Sequence, residues 1–393
     1  MDQKMFLSGF STGKNWKKEI QTIASQMKKG LKGASCDLAV FFVSEAYQDF
    51  DAKTFAQLLK EELLCRVSLG CNSSGVIANE TEIEMEPAIS VLAMHLPGVK
   101  INPFYVSADN INSLSGRNEL INVIDVYPPD MPKFICLADP NSCDINKFLT
   151  NFNDAYKGLP VIGGLASGGM MNIPNWLCLD GNIYDNGAVG LALVGNIEFE
   201  TIVSQGCRPI GKSFVVTRAE GNVLYEIAGK PALEVTRDVL ENLSAKDKTL
   251  SENSLFVGLV MNEHQTSFKR GDFLIRNIMG FDPDSGALMV GASLKVGQTM
   301  QFQLRDAETS EEDLKTLLHK FDGSHADSPQ AGILISCCGR GKGLYGKPDH
   351  DARMIQAAKG PLPLAGFFAN GEIGPIGTKN YVHGYTSSLV ILR

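Results

Sequence analysis

Two adjacent thiols followed by a cation, Ser336-Cys337-Cys338-Gly339-Arg340-Gly341-Lys342-Gly343, stand directly after the apolar run Ile333-Leu334-Ile335. A change from buried strand to glycines and cations marks a strand's C-terminal end, where open α/β sheets bind their ligands. Arg340 has two uses there. It holds a ligand carboxylate or phosphate bidentately, or it pairs with an internal carboxylate such as Glu372 and braces the loop. Cys337 or Cys338 acting as a nucleophile would need a base and an oxyanion pocket, with His264 and His383 as the bases on offer; buried structural thiols are the other reading. In Gly371-Glu372-Ile373-Gly374-Pro375, the carboxylate of Glu372 would accept a ligand ammonium or cap backbone N–H groups.

A second string, Gly206-Cys207-Arg208-Pro209-Ile210-Gly211-Lys212-Ser213, satisfies the spacing of a phosphate loop. Phosphate loops need a helix after the lysine, because its N-terminus supplies much of the anion binding. The following Phe214-Val215-Val216-Thr217 is β-like, and Pro209 removes an N–H from the would-be cradle. The string therefore reads as a turn between strands.

The elements that must position these residues follow one pattern used three times: an apolar strand, an amphipathic helix, a second strand, a loop Gly-x-x-x-(Ser/Asn)-Gly and a closing strand. The first copy has Leu38 to Val43, a helix with Phe55, Leu58, Leu59 and Leu63, and the loop from Gly70 through Asn72 and Ser74 to Gly75. The second has Phe134 to Ala138, a helix capped by Asp144, and the loop from Gly163 through Ser167 to Gly168. The third has Gly332 to Ser336, a short helix around Ala352 to Ala358, and the loop from Gly366 through Asn370 to Gly371. Apolar residues three and four apart put one helix face on a core, and β-α-β order favours parallel pairing with helix cover. Glycine at both ends of each loop implies positive φ or close approach of another group. These loops are then either tight strand exits or the lining of a pocket, with Asn72, Ser74 and Ser167 as candidate ligand-binding residues. The fold class is α/β: two domains of mixed sheets, repeated β-α-β-loop-β modules and covering helices.

Composition narrows the function. With 36 Lys plus Arg against 44 Asp plus Glu, the net charge of -8 gives no support to a nucleic-acid surface. No apolar run approaches the roughly 20 residues of a membrane span, and no signal-peptide pattern opens the chain. Nine cysteines, an odd number spread through apolar segments, read as reduced thiols of a cytoplasmic protein. No Cys or His pair has structural-zinc spacing, so neither metal nor cofactor is expected.

Taken together, the strings resemble one family. Phe367-Phe368-Ala369-Asn370-Gly371-Glu372-Ile373-Gly374, His383-Gly384-Tyr385-Thr386 and Cys337-x-Gly339-Arg340-Gly341 are similar to the C-terminal half of FIST-domain proteins. Leu69 to Gly75, Val189-Gly190-Leu191-Ala192-Leu193 and Gln205-Gly206-Cys207-Arg208-Pro209-Ile210-Gly211 resemble their N-terminal half. The resemblance implies a FIST N-terminal domain over 1–238, a linker at 239–250 and a FIST C-terminal domain over 251–393. It implies a non-catalytic intracellular sensory module that binds a small molecule such as an amino acid and signals through a separate protein. It is also similar to the substrate-recognition part of F-box proteins, although residues 1–50 show no three-helix F-box pattern. No catalytic residue is carried over. Cys337, Gly339, Arg340, Gly341, Asn370, Gly371 and Glu372, in the most recognisable strings, join the candidate ligand-binding set. A scaffold without small ligand and a cysteine-dependent enzyme are the alternatives.

Overall fold

The sequence modules fold as three copies of one β-α-β unit. In the computed structural model, which describes residues 3–171, 173–320 and 328–393, each opening strand pairs in parallel with the strand after its helix and antiparallel with its closing strand. Leu38–Ser44 lies between Val67–Ser73 and Ile89–His95. Lys133–Ala138 lies between Val161–Leu165 and Ala188–Gly195. Ala331–Cys337 lies between Leu364–Ala369 and Ser387–Leu392. The crossover helices are Ala52–Leu63, Ile145–Ala155 and His350–Lys359. Asp51 and Asp144 cap the first two by accepting from Thr54 N and Lys147 N.

What the pattern did not reveal is an exchange. After its second strand, each module sends a hairpin into another module's sheet. The hairpin Gly75–Ala78 and Thr81–Glu84 pairs with Leu364–Ala369 of the third module. The hairpin Leu177–Leu179 and Asn182–Tyr184 pairs with Val67–Ser73 of the first. The hairpin Glu372–Ile376 and Lys379–His383 extends the sheet of the second through Val161–Leu165. Each of the three six-stranded sheets formed by the described residues then has the same order: edge strand, closing strand, opening strand, second strand, imported hairpin. The import covers what would be an unpaired strand edge.

Burial follows the two-sided cover. Val40 and Phe42, Ile135 and Leu137, Ile333 and Ile335 share one core with residues of all three sheets. The alternate residues face the helices: Ala39, Phe41 and Val43 pack with Phe55 and Leu59, and Phe134 and Cys136 pack with Phe148 and Phe152. Strands buried on both faces read as continuous apolar runs, which is why the sequence shows them so clearly. The first glycine of each loop is set by this packing. A Cβ at Gly70, Gly163 or Gly366 would run into the backbone carbonyl of Phe41, Cys136 or Leu334 on the neighbouring opening strand.

The chain divides into two compact units, one of residues 1–203, 317–382 and 386–393 and one of 204–316 and 383–385. All three modules belong to the first. In chain order the second interrupts the third module, between its edge strand Phe199–Ser204 and its opening strand. It is built on an antiparallel sheet with a core of Val216, Leu224, Ile227, Val257 and Phe302. The phosphate-loop string lies there as strand Cys207–Pro209 and the turn that leads into strand Phe214–Glu220, with no helix after the lysine. Arg208 is bound to Asp247 and Asp306 at 2.5 and 3.4 Å. The polar stretch 239–250 spans the end of helix Ala232–Glu241 and the start of Ala245–Ser254. Among the described residues, no helix is long and apolar enough to cross a membrane.

Candidate functional site

Ser74, Ser167 and Asn370 occupy the same position in the three loops, and all three modules meet around them. Ser167 Oγ accepts from Ser74 N at 3.0 Å, and its hydroxyl donates to Phe368 O. Ser74 Oγ lies 3.3 Å from Cys338 Sγ. Asn370 N donates to Leu165 O at 3.0 Å, and Gly371 O accepts from Leu165 N at 2.8 Å. Gly371 alone of the three closing loop glycines has positive φ, at 143°; Gly168 is instead required by the side chain of Asn72 packed against it. Burial pushes the Cys338 thiol up, against hydrogen bonds from Ser74 and Ser167, so it stays protonated at neutral pH. Glu372 is fully buried and accepts from Thr386 N at 3.1 Å, the backbone-capping role. The loop residues predicted for ligand binding thus form a junction whose polar groups serve one another.

Arg340 is wholly buried and pairs with Asp351, not with Glu372. Its Nε donates to Asp351 Oδ2 at 2.6 Å, and its Nη2 donates to Asp351 Oδ1 at 3.1 Å and to Tyr345 Oη at 2.6 Å. Burial opposes the guanidinium's charge, but Asp351 outweighs it and holds the cation protonated. His350 stacks on Tyr345 with centroids 3.5 Å apart and reaches Asp351 through Nδ1 at 3.1 Å. The loop takes this shape because a short helix, Gly341–Tyr345, starts directly after Arg340. Gly341, at φ 64°, packs on Glu84 of the imported hairpin, and Lys342 N donates to Glu84 Oε1 at 2.7 Å. Glu82 of the same hairpin accepts from Ala352 N at 2.9 Å; burial, then the charge of Asp351, pushes its carboxyl up to about 7. Cys337 and Gly339 close the turn, with Gly339 N 3.4 Å from Cys337 Sγ and Arg340 N donating to Cys337 O at 2.8 Å.

A cavity of about 460 Å³ opens at the corresponding end of the first sheet. It is lined by Val43, Ser44, Glu45 and Tyr47 at the exit of the opening strand, by Asp49 and Phe50 before the helix, and by Asn175, Trp176 and Asp185 around the hairpin imported from the second module. Glu45, Tyr47, Asn175 and Trp176 are 4, 3, 7 and 8% exposed. Phe50 stacks on Trp176 at 5.7 Å with 12° between planes, and Tyr47 lies 6.1 Å from Phe50. Asn72 joins cavity and junction: its amide donates to Pro174 O at 3.1 Å and accepts from Trp176 N at 2.9 Å. Two buried polar atoms on this lining, Tyr47 Oη and Asn175 Oδ1, have no hydrogen-bond partner among the described residues. Such atoms are costly unless a ligand or water satisfies them.

Of the predicted site residues, Asn72 alone lines this cavity. Sequence reasoning missed Glu45, Tyr47, Asn175 and Trp176. The signal for the first two was present: Ser44-Glu45-Ala46-Tyr47 follows a buried strand, as Cys337 to Arg340 does, but without the eye-catching glycines. Asn175 and Trp176 carried no such signal, because hairpin exchange brings them from another module.

Comparison with known proteins finds two family models in succession along the chain. Residues 37–230 match the FIST N domain and residues 232–375 the FIST C domain. The chain is 33% identical over 384 residues to the uncharacterized protein Rv0628c of Mycobacterium tuberculosis, covering 98% of both chains. It is 34% identical over 369 residues to the uncharacterized protein Mb0898c of Mycobacterium bovis, covering 94% of this chain and 93% of that one.

Proposed function

The chain belongs to the FIST family, and on that premise we propose that it is an intracellular sensory module that binds a small molecule, an amino acid or a close chemical relative, and passes the bound state to a separate protein. The observation that carries this reading is the cavity at the exit of the first sheet. Its volume of about 460 Å³ lies within the range of small-molecule sites, which are mostly apolar with a few convergent polar groups. Aromatic lining residues and two buried polar atoms with no partner among the described residues fit that description.

A non-catalytic role has the better support. The Cys338 thiol, raised by burial, is a poor nucleophile at neutral pH. Recognition of a protein without small ligand, in the manner of an F-box substrate receptor or scaffold, draws on the exposed Met279 and Phe281 of the second unit, 67 and 59% exposed. A thermal-shift panel of amino acids, amines, small carboxylates and nucleotides separates the readings. A dose-dependent rise with one class supports the sensor, since a ligand that prefers the folded state raises its stability. A flat response across the panel moves the function to protein recognition.

A further inference from the structure

Resting on the reading that the first-sheet cavity holds a ligand, we infer that this ligand is an organic cation, a primary ammonium or guanidinium carried on a flat apolar body, and that it binds without a carboxylate of its own. The lining supplies three carboxylates, Glu45, Asp49 and Asp185, and among the described residues it supplies no Lys or Arg. Glu45 is buried, whereas Asp49 and Asp185 stand at the exposed rim. A ligand anion would meet only like charge. A cation gains from the buried carboxylate and from the aromatic rings of Tyr47, Phe50 and Trp176 on the lining. Asn175 Oδ1 is a further acceptor without a donor among the described residues, and Tyr47 Oη offers a hydroxyl that can turn to a ligand.

The internal repeat gives an independent argument. Ser44 N and Cys337 N donate to equivalent carbonyls before the closing strands, Ala88 O and Thr386 O. Glu45 N and Cys338 N donate to Ser73 O and Ala369 O on the second strands. Counting two residues on, Tyr47 holds the place of Arg340. Along the imported hairpins, Leu179 pairs with Asn182 as Ala78 pairs with Thr81, so Asp185 holds the place of Glu84. In the third sheet the site is filled from within by the Arg340 guanidinium on Asp351. In the first sheet Asp185 keeps the acid of Glu84, Glu45 adds one where the third sheet has Cys338, the arginine is replaced by tyrosine, and the cavity lies beside them. A ligand cation would bring to this acidic lining the kind of charge that Arg340 brings to the third sheet.

The test is calorimetric titration of the full chain with 2-phenylethylamine, 2-phenylethanol and phenylalanine, which share a ring and differ in charge. The expected result is binding of the amine about ten- to a hundredfold more tightly than the alcohol or the amino acid, the scale of one buried charge-assisted hydrogen bond. Glu45→Gln should abolish that preference, and should Glu45→Gln fail to fold, Asp185→Asn at the exposed rim should reduce it. Equal or tighter binding of the alcohol or of phenylalanine, lost on blocking the cavity with Asn175→Trp, would overturn the cationic class while leaving the sensor reading intact. An amine preference untouched by Glu45→Gln and Asp185→Asn would overturn the site. No binding of any of the three would overturn the inference, and the wider panel then decides whether the sensor reading falls with it.

Discussion

Asp351 takes the Arg340 guanidinium through two hydrogen bonds, Nε to Oδ2 at 2.6 Å and Nη2 to Oδ1 at 3.1 Å, with the two side chains 0 and 1% exposed. A pair so deeply buried fixes geometry more than it adds stability, because desolvation offsets much of the Coulombic attraction. Here it locks the loop after the third opening strand to the helix His350–Lys359. Arg340→Ala should therefore cost about 3–5 kcal/mol by stranding the Asp351 charge. Urea unfolding would measure it. In the fraction that folds, ligand affinity at the first-sheet cavity should be unchanged, since Arg340 lies in another sheet.

Glu82 predicts a pH dependence. Its carboxyl rises from 4.5 to about 7 on folding, through burial first and then repulsion from Asp351. The folded state thus holds a proton that the unfolded state releases between those values. Stability from this group is complete below about pH 4.5 and is lost as pH rises through about 7. Glu82→Gln removes the titration and keeps an acceptor for Ala352 N. The variant should match the wild type near pH 4 and exceed its stability by roughly 1–3 kcal/mol above pH 7. A parallel pH series of thermal melts checks this.

Gly163→Ala and Gly366→Ala should each destabilise the protein by about 1–3 kcal/mol or more, because the added Cβ meets a fixed strand carbonyl. Gly343→Ala, with open space at its Cβ, is the control and should be near neutral. Midpoints of chemical denaturation distinguish them.

Cys338 should alkylate more slowly than a free thiol at neutral pH, since burial keeps it protonated and Ser74 covers it at 3.3 Å. Iodoacetamide labelling followed by mass spectrometry measures the rate, and labelling as fast as free cysteine would contradict the protonated, covered thiol.

Much of the fold was legible because the opening strands are buried on both faces and the helices on one, which writes two distinct periods into the sequence. The three modules, their helices and their Gly-x-x-x-(Ser/Asn)-Gly loops could be read from those periods. The hairpin exchange could not: Val76 and Cys178 look like any strand residue, and nothing local tells them to pair with another module. The same gap explains the site. Arg340 stood out by its glycine neighbours, but its partner Asp351 lay just before the expected helix, while Glu372 lay in the more conspicuous loop. Tyr47 and Trp176, 129 positions apart by their numbers, meet across one cavity only after the exchange.

The most direct test of the central claim is a crystal structure of the protein with 2-phenylethylamine. The ammonium should lie within hydrogen-bond reach of the Glu45 carboxylate, with the ring against Phe50 and Trp176. The amine bound elsewhere, with the first-sheet cavity left to solvent in crystals that hold it at saturating concentration, would contradict it.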